Sequence, residues 1–175
     1  MRLFIAINFT SEEKNAIIAQ RELLRKQSSD GNFSRDENLH MTLEFIGETP
    51  AKSVPLLLDA IRSVKFTPFT IILDKIGFFT NRNSDPQAPK LYWIGPSRQK
   101  EIRNLQKRLH YGLEEKKTAP ENGRFTPHIT LGRQVISQVQ PHSIVPIECM
   151  ASKISLMKSE RINGKLTYTE IMQPE

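Results

Sequence analysis

The chain has 175 residues, of which 38% are hydrophobic and 25% charged, and its net charge is +6. That balance excludes a disordered or fibrous chain, and no apolar run approaches the ~18–20 residues a membrane helix needs. A basic surface favours an anionic partner, most commonly nucleic acid, although charge alone fits plain solubilisation equally well.

Residues 2–8 read as a first strand. The apolar stretch 1–9 is short, lacks a small-residue cleavage site and runs into a helix start, so it is not read as a signal peptide. Thr10 caps a helix, Glu13 completes a capping box, and the helix extends to about Gln27. The Ser-Ser-Asp-Gly-Asn stretch at 28–32 has loop chemistry. Residues 39–46 alternate as a strand, with Leu39, Met41, Leu43 and Phe45 on one face and His40, Thr42 and Glu44 on the other. A helix is expected over 53–64, with Pro55 tolerable only in its first turn. A strand follows over 69–79, then a polar loop over 81–89 and a short strand over 90–94. Ser97 opens a helix whose apolar stripe is Ile102, Leu105, Leu109 and Leu113. Residues 128–133 form another strand behind Pro127. Residues 147–157 and 165–172 are expected to pair as a hairpin around Asn163-Gly164, a type I′ turn signal.

Helices and hairpins both connect these strands, which predicts an α+β fold with largely antiparallel sheets. No linker rich in Gly, Ser or Pro divides the chain, so residues 1–175 are expected to form a single domain. The lone Cys149 excludes a disulfide framework and a Cys-based zinc site within one chain. The cytoplasm is the default location.

Two segments match: His40-Met41-Thr42-Leu43 and His128-Ile129-Thr130-Leu131. They lie about half the chain apart, as a duplication facing itself would place them. One His-x-Thr is nearly uninformative, but the matched pair arises by chance with a probability of roughly 10⁻⁴. Residues i and i+2 of a strand share a face, so each imidazole has a Thr hydroxyl beside it. Two such strands at one cleft supply a base, an acid and two hydroxyls that can hold phosphate oxygens. Opening a cyclic phosphodiester requires that set. Two histidines without an obvious carboxylate at ligand spacing do not make a metal site, so neither metal nor cofactor is expected.

Other residues carry weaker signals. Glu44 shares the face of His40 and reads most simply as a solvated strand residue. His110, on a charged helix, and His142, after Pro141, read as surface residues. Arg133 can neutralise phosphate, although strict alternation turns it away from His128. Phe33, Tyr92 and Trp93 offer faces for a base, but strand aromatics ordinarily pack the core.

The paired motifs resemble the HxTx motifs of the two-histidine (2H) phosphoesterase superfamily. The stretches 2–6, 37–48, 92–95, 127–133 and 154–160 resemble its bacterial and archaeal RNA 2′,3′-cyclic phosphodiesterases, long called 2′-5′ RNA ligases. The resemblance implies two pseudo-symmetric α+β lobes with antiparallel sheets around a central cleft, the LigT-like fold. It implies hydrolysis of a 2′,3′-cyclic phosphate end of RNA to a 2′-phosphomonoester, and reversible 2′-5′ ligation, for instance of tRNA halves. It makes His40 the proton donor, His128 the proton acceptor, and Thr42, Thr130 and Arg133 the phosphate-binding residues, in a monomer without membrane attachment. Phe33 and Lys158 depart from the tryptophan and arginine common in relatives, which bears on base preference and phosphate affinity. Two other readings stay open. One is a non-catalytic RNA-binding module. The other is the same chemistry on a 2′-5′ oligonucleotide or a small cyclic nucleotide.

Overall fold

A computed structural model describes residues 1–80, 85, 87–121 and 123–171. Most of the polar loop expected at 81–89, and the end of the last strand at Met172, lie outside the described residues. Among the described residues, nine strands and three α-helices follow in chain order: β1 (Arg2–Asn8), α1 (Ser11–Lys26), β2 (Ser28–Phe33), β3 (His40–Glu48), α2 (Val54–Ser63), β4 (Phe69–Phe79), β5 (Lys90–Gly95), α3 (Lys100–Glu115), β6 (Ile129–Ser137), β7 (His142–Ala151), β8 (Ser155–Ile162) and β9 (Lys165–Glu170). A short 3₁₀ turn at Asp36–Asn38 precedes β3.

The strands run β7-β4-β5-β6-β3-β1-β8-β9, every pairing is antiparallel, and β2 adds to β6. The two halves, β7-β4-β5-β6 and β3-β1-β8-β9, meet at the single pair Met41↔Ile129. The unit β5-α3-β6 of one half repeats β1-α1-β3 of the other. The two HxTx strands are therefore the innermost strands of their halves, side by side on the pseudo-twofold axis. The α+β class and antiparallel pairing match expectation.

Local chemistry explains the helices. The Thr10 hydroxyl accepts from the Glu13 N–H, and the Glu13 carboxylate accepts from the Thr10 N–H, closing the capping box. Such a cap contributes about 1 kcal/mol. The other Glu13 carboxylate oxygen accepts from the Met150 N–H at 2.6 Å, tying α1 to the opposite half. Pro55 sits in the first turn of α2, where no helical hydrogen bond is lost. The apolar stripe of α3 is fully buried from Ile102 to Leu113. One core cluster draws on both halves, from Leu3, Ile5 and Ile7 to Tyr92, Ile94 and Leu131.

Two expectations are corrected. Residues 28–33 form a strand, because β6 offers them a free edge that local propensity does not reveal. The strand expected over 147–157 is two strands: β7 pairs with β4 and stops at Ala151, while β8 crosses to the other half and pairs with β1. The hairpin is then β8–β9, and its turn does hold Asn163 and Gly164, at φ 51° and 77°.

Candidate active site

His40 and Thr42 from β3, and His128 and Thr130 from the start of β6, line one cleft of about 920 Å³. Among the described residues, the cleft walls carry five basic side chains, Arg2, Arg35, Arg133, Arg161 and Lys165, and no carboxylate. Both imidazoles are pinned alike. His40 Nδ1 lies 2.7 Å from the Asn38 carbonyl, and His128 Nδ1 lies 2.7 Å from the Thr126 carbonyl. A carbonyl can only accept, so each Nδ1 carries its hydrogen and each Nε2 is left for chemistry. At His40, the Thr42 hydroxyl donates to Nε2 at 3.0 Å.

The rings are held from the side by aromatics. Phe4 and Tyr168 flank His40 with centroids at 4.8 and 5.1 Å, and Phe79 meets His128 edge-on at 5.1 Å. This packing strips water from the imidazoles. Burial, with lesser help from Lys14, His128 and Arg133, pushes His40 down to about 4, against the opposing pull of the Asn38 carbonyl. Burial and Arg133 lower His128 as well, against the Thr126 carbonyl. In the free protein at neutral pH both rings are uncharged, and a bound anion is what would recharge one of them.

Arg133 does face the cleft, contrary to simple alternation. Successive partners of β6 are Tyr92↔Gly132 and Trp93↔Thr130, which leaves Leu131 as an extra residue. In β3 the partners Ile5↔Glu44 and Ala6↔Thr42 skip Leu43 in the same way. Each HxTx motif therefore carries a β-bulge at its Leu, and the bulge reverses which faces the following residues occupy. Arg133 swings to the side of His128 and Thr130. Its counterpart Phe45 swings to the side of His40 and Thr42, where the Arg2 guanidinium sits 5.0 Å from its ring centre.

The same bulge overturns the reading of Glu44. It is buried on the far side of the sheet, where one carboxylate oxygen accepts from Gln106 Nε2 at 2.6 Å and from His110 Nδ1 at 2.9 Å. His110 is correspondingly a buried residue. His142 is exposed, as expected, although it opens β7. Of the aromatics, Phe33 lines the cleft. Tyr92 is fully buried, its hydroxyl donating to the Val139 carbonyl at 2.7 Å, and Trp93 packs under Phe79.

Sequence reasoning missed Arg21. It is buried on α1 and donates to the Ser34 carbonyl and the Asp36 carboxylate, both at 2.6 Å. Ser34 in turn bonds the Thr130 carbonyl through its hydroxyl at 2.7 Å and the Leu131 carbonyl through its N–H at 2.9 Å. The segment leading into His40 is thus stitched to the strand of the second motif. An arginine one turn from the end of an amphipathic helix gives no sequence signal for this. Among the described residues, no cluster of three or more His, Cys, Asp or Glu side chains is placed to hold a metal ion. None of the described helices is long and apolar enough to cross a membrane.

Fold and cleft define a duplicated α+β protein that presents a matched pair of His-x-Thr strands to one cation-lined groove. A model of the 2′-5′ RNA ligase superfamily matches residues 13–163. The RNA 2′,3′-cyclic phosphodiesterase of Thermotoga maritima is 30% identical over 135 residues, which is 76% of this chain and 70% of that one. The enzyme of the same name from Methanothermobacter thermautotrophicus is 23% identical over 98% of this chain and 96% of its own. Among solved structures, TT0787 of Thermus thermophilus superposes with a TM-score of 0.81 at 26% identity, covering 98% of this chain and 96% of that chain. E. coli LigT complexed with 3′-AMP superposes with a TM-score of 0.78 at 27% identity, covering 98% and 95%. The chain belongs to the 2′-5′ RNA ligase superfamily, within the two-histidine phosphoesterases.

Proposed function

We propose that the protein hydrolyses the 2′,3′-cyclic phosphate at the end of an RNA to a 2′-phosphomonoester, with His40 as general acid and His128 as general base. The observation that carries this reading is the pair of imidazoles, one from each half, with Nδ1 fixed by a carbonyl and Nε2 turned to a threonine hydroxyl at His40, in a cleft that is basic and, among the described residues, free of carboxylates. The names of the relatives agree with it.

The cyclic phosphate enters as an anion and draws Arg133 and the two Thr hydroxyls onto its non-bridging oxygens. Its charge raises the affinity of His40 for a proton, which the burial of the ring otherwise opposes. Once His40 Nε2 is protonated it becomes a donor, and the Thr42 hydroxyl that had donated to it is released toward phosphate. His128 Nε2 takes a proton from water as the water oxygen bonds to phosphorus. The bond from phosphorus to the ribose 3′ oxygen breaks, and His40 delivers its proton to that oxygen. The ring opens to a 2′-phosphate and a free 3′-hydroxyl, with one histidine newly charged and the other newly neutral. A 5′-hydroxyl of a second RNA in place of water gives a 2′-5′ phosphodiester by the same motions, the reaction in the superfamily's name.

The test is turnover of a short RNA with a 2′,3′-cyclic end in the presence of a chelator, with the position of the product phosphate read by NMR. Loss of roughly 10² to 10⁴ in rate is expected for either His→Ala variant. A double histidine variant as active as the parent refutes the mechanism, and RNA binding without turnover in the parent favours a non-catalytic module.

A further inference from the structure

The cleft holds more positive charge than one phosphate needs, and its cations come from separate elements. Arg133 is beside the histidines, where it lowers both. Arg2, Arg161 and Lys165 line the wall built by β1 and the β8–β9 hairpin. The register places them: Arg2 pairs with Ser159, Ser159 with Tyr168, and Arg161 with Leu166. Ser159, Arg161, Leu166 and Tyr168 all line the cleft, so one face of the hairpin is turned inward. Tyr168 touches His40, and Arg161 and Leu166 stand two residues, about 7 Å, further along the hairpin.

Among the described residues, none of Arg2, Arg133, Arg161 and Lys165 forms an ion pair, whereas Arg35 is taken by Glu37. The nearby Glu160 is on the opposite face, paired with Lys158 at 2.9 Å. Arg161 gives one guanidinium nitrogen to the Gly164 carbonyl, at 3.1 Å, and among the described residues its other guanidinium donors have no hydrogen-bond acceptor. Cations without ion-pair partners along one wall, whose described residues include no carboxylate, repel one another until anions arrive. A 2′,3′-cyclic phosphate is necessarily at the 3′ end of a chain, so the remaining RNA can only leave from the 5′ oxygen of that last ribose.

We propose that Arg2, Arg161 and Lys165 form a second phosphate subsite that holds the phosphodiester on the 5′ side of the reacting nucleotide, so that the substrate is an oligonucleotide rather than a mononucleotide. This rests on the proposed phosphodiesterase reading, and the experiment separates the two. Kinetics are measured on a 2′,3′-cyclic mononucleotide and on a short RNA with the same cyclic end, for the parent, for the double variant Arg161→Gln/Lys165→Gln and for the charge-keeping Arg161→Lys/Lys165→Arg. Binding of a short RNA ending in a 2′-phosphate is followed alongside by fluorescence anisotropy over a range of salt. The parent prefers the RNA in kcat/KM, mainly through KM. The glutamine variant loses that preference by roughly tenfold or more, and its salt slope on RNA drops by about 0.7 for the one phosphate given up. The charge-keeping variant retains most of the preference, which a misfolded hairpin would not. An unchanged preference in the glutamine variant, or equal losses in both double variants, overturns the subsite. If the parent turns over neither substrate, yet RNA binding still depends on Arg161 and Lys165, the catalytic reading fails and the subsite stands.

Discussion

The charge state of His40 is the most exposed consequence of the site's geometry. Burial moves its midpoint from 6.5 down to about 4. At 1.36 kcal/mol per pH unit, this is about 3 kcal/mol in favour of the neutral ring, and near pH 7 only about one free molecule in a thousand carries the charged one. Proton-detected NMR of the His40 ring in the free protein is expected to titrate well below 6.5, and to shift upward when inorganic phosphate is added. Between the two midpoints the unfolded chain binds the extra proton, so the stability contributed by this ring is complete above pH 6.5 and is lost as pH falls toward 4. A His40→Gln variant should flatten that acid loss by about 2 kcal/mol in urea melts compared at pH 7 and pH 4.5. Because kcat/KM reports the free enzyme, its bell should lie on the acid side of 6.5, with the kcat bell displaced upward by the bound anion. A His40 midpoint at or above 6.5 without ligand would refute the reasoning, because the aromatic and backbone packing would then not be desolvating the ring.

Three further outcomes are expected. Arg133→Gln should raise the midpoints of both His40 and His128, since its charge lowers each, and should weaken inorganic phosphate binding measured by calorimetry; unchanged midpoints would mean that Arg133 points elsewhere. Glu44→Leu leaves the buried His110 Nδ1 and the half-buried Gln106 amide without their acceptor, which should cost about 2 kcal/mol in denaturant unfolding, whereas a surface strand residue would cost under ~0.5. Gly132→Ala puts a Cβ 2.7 Å from Val135 Cγ2 and 3.1 Å from the Phe33 ring, so it should destabilise by about 1–3 kcal/mol and lower activity by disturbing the bulge beneath Arg133, both read by melting and turnover.

What the sequence disclosed, and what it hid, divide along one physical line. Period and local chemistry are written in neighbouring residues. The Thr10–Glu13 box, the stripe of α3, Pro55 in the first turn of α2 and the Asn163-Gly164 turn were therefore all legible, as was the HxTx pair. Register is set by partners far away in the chain. Residues 28–33 became a strand because β6 had an edge to offer, and 147–157 broke in two because β8 belonged to the other half. A bulge is a defect of register, invisible to alternation, and each motif contains one. Counting by twos put Glu44 on the face of His40 and turned Arg133 away from His128, and the bulges reverse both.

The bulges also explain why the duplication makes a working asymmetric cleft. Each HxTx strand repeats the same backbone device: histidine, threonine, an extra leucine, then a side chain brought round to the histidine face. The first copy brings Phe45, which carries Arg2 against its ring; the second brings Arg133 directly. One half thus presents a cation on the face of its histidine, while the other presents an aromatic ring with a cation against it. Identical backbones with different residues at one bulged position are enough to give a symmetric pair of imidazoles unequal surroundings. Burial and Arg133 lower the midpoints of both imidazoles, and Lys14 adds to the lowering at His40, so the two rings of the pair stand in unequal electrostatic surroundings.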